Sequence, residues 1–101
     1  MPEPVANNDS ATMLTMLKTD LGISSTSYDA RFAQYLQSAQ KEIVRVGITF
    51  PETLDVEDMQ LIVMYASYMW RKRDGNETGM PRDLQFLLHN RLMSQKMKVG
   101  E

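Results

Sequence analysis

Apolar residues recur at three- and four-residue spacing in four separate stretches of the chain, which is the period of an α-helix with one buried face. Leu14, Leu17 and Leu21 mark the first, predicting a helix from about Ala11 to Asp20, with Asp9 or Ser10 as its cap and Gly22 as its stop. Phe32, Leu36, Ala39, Ile43 and Val46 mark the second, from about Tyr28 to Val46, entered through the hydroxyl-rich Ile23-Ser24-Ser25-Thr26-Ser27 and ended at Gly47. Pro51 forbids continuation through the next connection, and Asp55 opens a third helix with Glu57 and Asp58 in its first turn. The fourth begins at Pro81, carries Leu84, Leu87, Leu88 and Leu92, and extends to about Met97 before Gly100. No strand-like alternation competes, although Val46 to Phe50 has the composition of a short extended piece. The expectation is all-α: a small bundle of about four helices with short loops. Residues 1–10, with two prolines and two asparagines, read as a flexible N-terminal arm, residues 11–97 as a single helical domain, and residues 98–101 as a flexible C-terminus.

The third helix departs from the pattern of its neighbours. From Leu61 to Trp70 nearly every position is apolar, so no broad polar face remains and burial on several sides is implied. That run spans about 15 Å as helix, half the thickness of a bilayer core, which excludes it as a membrane span. With so few other helices in the chain, part of its cover is expected from a second copy.

Composition narrows the setting. A chain of 101 residues has room for one domain of modest stability, for which partner subunits are a natural supplement. It contains no Cys, which excludes disulfides, thiolate metal sites and a Cys nucleophile and fits a reducing compartment, and its N-terminus lacks the basic and apolar regions of a secretion signal. Nine Met residues supply adaptable apolar contacts. The formal net charge of -2 is unevenly spread: residues 1–70 hold four basic and nine acidic side chains, residues 71–101 seven basic and four acidic. Complementarity between copies is one reading of this asymmetry. It makes Met64, Tyr68, Trp70, Arg71 and Arg73, with Asp55, Glu57 and Asp58, the candidate subunit interface. The other reading is two solvated faces of unlike charge.

Catalytic chemistry finds little footing. His89 is the only histidine, so neither a two-His metal site nor a His–Cys dyad can be built, and no Gly-x-Ser-x-Gly turn presents a nucleophile. His89 reads as a surface or boundary residue. Glu52, Asp55, Glu57 and Asp58 lack the spacing of a calcium loop, and Gly75 and Gly79 are not followed by the Lys-Ser/Thr of a phosphate-binding loop. Asn76-Glu77-Thr78 matches a glycosylation acceptor but, without a secretion signal, reads as a polar loop. Tyr65, Tyr68 and Trp70 beside Arg71-Lys72-Arg73 form the one aromatic and basic association, which carries the alternative of a small DNA-binding or packaging regulator. No enzyme activity, cofactor or metal is expected.

The order of these features resembles that of the small head–tail connector, or adaptor, proteins of long-tailed bacteriophages, a family that includes proteins described as putative DNA-packaging proteins. The likeness is carried by Met16-Leu17-Lys18-Thr19-Asp20-Leu21-Gly22-Ile23, by Ala39-Gln40-Lys41-Glu42-Ile43 ending in Gly47, by Asp58-Met59-Gln60-Leu61-Ile62-Val63-Met64-Tyr65-Ala66 with Tyr68-Met69-Trp70-Arg71, and by Met80-Pro81-Arg82-Asp83-Leu84. It is a likeness of layout over residues 13–97, without a catalytic signature. It implies a helical virion subunit, assembled in the host cytoplasm, that forms a ring on the portal at the head–tail junction. Twelvefold portal symmetry implies a dodecamer, and a tail-side completion or stopper protein and DNA passing through the channel without sequence-specific binding are the further implied partners. The C-terminal segment is the implied portal contact, here Met93, Lys96, Met97 and Lys98.

Overall fold

The computed structural model describes residues 3–73, 75 and 79–100, with side chains for residues 9–73, 75 and 79–97. It is all-α, with α1 Glu3–Leu21, α2 Asp29–Val46, α3 Val56–Arg73 and α4 Arg82–Gly100, and no strand among the described residues. Residues 46–50 accordingly form the end of α2 and an irregular connection, not an extended piece. The first helix starts eight residues before the expected Ala11, so residues 3–10 are helical rather than an arm. Pro4 is compatible with that start, because the first turn of a helix needs no N–H from it. The last helix likewise continues past Met97 to Gly100, with the Pro81 carbonyl accepting from the Gln85 amide one residue before its start.

Two helix ends are closed by the same glycine device. Gly47 sits at φ 118°, its amide donates to the Val44 carbonyl and the Ile48 amide reaches back to Ile43. That pair of bonds caps the orphan carbonyls and needs a residue free to adopt positive φ. It also turns Ile48 inward, where it is fully buried, whereas Val46, expected in the stripe of α2, is left about half exposed. Gly22 repeats the geometry at the end of α1, with Ile23 bonding back to Lys18. At the other end of α2 the expected hydroxyl cap is absent: Tyr28 holds the cap position without a side-chain bond, and Ser25 and Ser27 bond one another.

The core is built around α3. Met13 and Leu17 from α1, Phe32, Leu36, Ala39 and Ile43 from α2, and Leu84 and Leu88 from α4 close on Leu61, Ile62, Val63, Ala66 and Trp70. Each large side chain so buried contributes about 1.5–3 kcal/mol relative to exposure. Most of the cover of α3 comes from α1, α2 and α4 of the same chain, while Met64, Tyr65, Tyr68 and Met69 stay partly exposed. α1 and α2 pack on α3 together and on each other, while α4 rests mainly on α3 and touches the end of α2 through Gln95 and Leu92.

The result is a flat molecule of 47 × 40 × 18 Å with a radius of gyration of 14.0 Å. A compact chain of this length is expected at about 13 Å. Its accessible surface is 6,865 Å², against about 5,800 Å² for a folded monomer of this mass.

Candidate functional site

The acidic stretch at the start of α3 folds into a reciprocal cap. The Asp55 carboxylate accepts from the Asp58 amide at 2.8 Å, and the Asp58 carboxylate accepts from the Asp55 amide at 3.0 Å. This is the arrangement of a capping box with Asp in the place usually held by Glu. Asp58 is 2% exposed, and its second oxygen pairs with the Arg91 guanidinium from α4. Arg91 in turn lies 5.4 Å from the centre of the Phe50 ring. One turn further along, the Gln95 side chain accepts from both the amide and the hydroxyl of Thr49 and donates to the Gly47 carbonyl. Arg91 and Gln95 thus fasten α4 to the α2–α3 connection and to the head of α3. Asp58 is consumed by this strap, so it cannot serve at the subunit interface for which its charge suggested it.

The aromatic and basic group after it is also engaged internally. Trp70, 9% exposed, lies in edge contact with Phe32 at 4.9 Å, Tyr28 at 5.5 Å and Tyr35 at 5.7 Å between ring centres. It is a core residue, which corrects its place among the interface candidates. Arg73 lies over that ring, 5.2 Å from its centre, Lys72 lies 5.8 Å from the centre of the Tyr68 ring, and Arg71 pairs with Asp20 of α1 at 3.7 Å. All three cations of the cluster have intramolecular partners, each on a surface where such contacts contribute modestly. Met64 and Tyr68 are half-buried against the core, whereas Asp55 and Glu57 are exposed.

Tyr65, Tyr68, Met69, Lys72 and Arg73 on α3 and Glu42 on α2 line an open depression beside this cluster. Burial, with Glu42 and Tyr68 adding to it, raises the Tyr65 phenol above its ordinary 10.0. A raised folded-state value means that the neutral phenol is favoured by folding. Its contribution is whole below pH 10 and is lost as pH rises through the folded value. Alkaline melting curves are therefore expected to fall less steeply for Tyr65→Phe than for the parent, with the late phenolate absorbance missing from the variant. Identical alkaline profiles would remove Tyr65 from this role.

The largest unpartnered apolar side chains belong to α4. Leu84 and Leu88 face the core and Leu92 is half-buried, but Leu87, expected in that stripe, is 41% exposed. Phe86 is 64% exposed, and Met93 and Met97 follow at seven and eleven residues, on the face turned away from α3. Lys96 and His89 are exposed as well, which agrees with the surface reading of His89; the Lys98 side chain lies outside the described residues. Sequence periodicity missed this division because Leu84, Phe86, Leu87, Leu88, Leu92, Met93 and Met97 surround the helix and do not select one face.

Among the described residues no group of three His, Asp or Glu side chains is placed to hold a metal ion, and no helix is long and apolar enough to cross a membrane. No family model, no curated protein and no solved structure matches the chain significantly.

Proposed function

We propose that this chain is a structural subunit of a bacteriophage head–tail connector: a ring, dodecameric by portal symmetry, that docks on the portal and extends the DNA channel between capsid and tail. The observation that carries the reading is surface that a monomer does not need. Accessible area exceeds the monomer expectation by about 1,000 Å². Phe86, Leu87, Met93 and Met97 stand in solvent on one helix. The sequence likeness over residues 13–97 supplies the identity of the assembly, and the exposed Met93, Lys96 and Met97 fit the portal contact that it implies. A tail-side stopper protein would close the far face of the ring.

The alternative of a DNA-binding regulator is less favoured because Arg71 is partly neutralised by Asp20 and because Lys72 and Arg73, though exposed, lie over the Tyr68 and Trp70 rings. The test is assembly. Light scattering and electron microscopy of the full chain, alone at high concentration and mixed with portal rings, are expected to give closed rings seated on the portal. A strict monomer under both conditions would remove the proposal.

A further inference from the structure

We propose that copies of this chain associate head to tail, the Phe86 side chain of one inserting as a knob into the groove between α1 and α2 of the next. The inference rests on the self-assembly reading above and assigns its contact surfaces. The groove is lined by Ser10, Met13 and Leu14 from α1 and by Ala33, Leu36 and Gln37 from α2. Its volume is about 180 Å³, below the roughly 300–1,000 Å³ of small-molecule sites and sized for a side chain or two. The small Ala33 and the nearby Ala11 keep it open, and its lining is mostly apolar with amide and hydroxyl groups at the rim.

Phe86 is the complementary shape. It is the most exposed aromatic residue described, flanked by the 41% exposed Leu87, and a rigid aromatic ring seated in an apolar hole is the usual centre of an interface. Arg82, one turn before Phe86, and Asp9, next to the groove residue Ser10, show no ion pair among the described residues and bring opposite charges to the two sides.

The occupant is a second copy because the two features do not meet within one chain: Phe86 stands 64% exposed on α4 and is not among the residues that line the groove between α1 and α2. Each copy then offers one of each. A knob and a hole on different surfaces make a heterologous contact, which propagates from copy to copy and closes only as a ring.

The absence of Cys makes the test direct. The double variant Gln37→Cys with Asn90→Cys, which places one thiol at the groove and one a turn after Phe86 while leaving Phe86 itself in place, is expected after assembly and oxidation to give a ladder of disulfide-linked multimers on denaturing gels, with neither single variant doing so. Phe86→Glu is expected to raise the protein concentration needed for assembly on the order of 30-fold, the scale of a central anchor residue, with its melting temperature unchanged because the residue is exposed. Parent rings that form while Phe86→Glu assembles undiminished, or while the double variant gives no ladder, overturn the knob-and-hole contact and leave the connector reading standing. A parent chain that never assembles, with or without portal, overturns both.

Discussion

Replacing Trp70 by alanine is expected to lower the unfolding free energy by about 3–5 kcal/mol, the range for removing a buried aromatic side chain from a core. The size follows from what the ring touches. Phe32, Tyr28 and Tyr35 all meet it within 6 Å between centres, and the Arg73 guanidinium lies over the ring. Phe32 is itself fully buried, so the cavity left behind cannot collapse without displacing the first turn of α2. Against a total of about 5–15 kcal/mol for a small domain, the variant should melt on the order of 15–25 °C lower, if it folds at all. Trp70→Phe keeps a ring in the cluster and should lose much less. Thermal melts of dilute protein decide the matter, because a residue serving only a contact between copies would weaken assembly and leave the dilute melt untouched. An unchanged melt for Trp70→Ala would return Trp70 to the surface.

That experiment bears on what one-dimensional pattern can and cannot reveal. The four helices were legible because their apolar spacing, the glycine stops Gly22 and Gly47, and the acidic opening of α3 are all local signals acting within a turn or two. Their outer limits were not. Residues 1–10 with their two prolines read as an arm and Asp9 or Ser10 as a cap, yet residues 3–10 are helical, since a proline in the first turn obstructs nothing. Tyr28, in turn, holds the cap position without any cap bond of its own side chain, with four serine and threonine residues immediately before it. Local preference there yields to the packing of Phe32 and Tyr28 against Trp70.

The candidate surface was less legible, for a different reason. Periodicity ranks residues by how apolar a helix face is, and α3, apolar almost everywhere, looked in need of a partner. In the fold α3 is the central helix, and it is α4, packed on α3 and tied to the α2–α3 connection, that carries the larger exposed apolar side chains. Charge was equally ambiguous from sequence. Asp55 and Glu57 remain at the surface, but Asp58, three residues from Asp55, is buried. Nothing in the local sequence distinguishes these acids, because the difference is made by Arg91, thirty-three positions later. Arg91 and Gln95 drew no attention as single polar residues on a helix, and only three-dimensional placement reveals that they fasten it.

Arg91 is where removing one side chain should have the second-largest effect, and the effect should be asymmetric across the pair. Asp58 has 3% of its side chain exposed and Arg91 has 27%. Truncating the arginine strands a carboxylate in the interior with only the Asp55 amide to satisfy it, whereas truncating the aspartate leaves a guanidinium that can still reach water. Arg91→Ala is therefore expected to cost about 3 kcal/mol, the lower end of the range for orphaning a buried charge, since partial exposure of the arginine screens the pair. Asp58→Ala should cost about 1–2 kcal/mol, mainly the lost cap of α3. Arg91→Met retains the stem against Phe50 and deletes only the charge, so it isolates the electrostatic part from the packing part. The damage should be regional. With Leu84 and Leu88 its only buried apolar anchors among the described residues, α4 is expected to lose amide protection first, ahead of α1 to α3, when hydrogen exchange of Arg91→Met is followed residue by residue. The change should persist at high salt, because ions screen a buried pair poorly. If Arg91→Met melts and exchanges like the parent, or if Asp58→Ala proves the more damaging of the two, the pair is not what holds α4 to the head of α3.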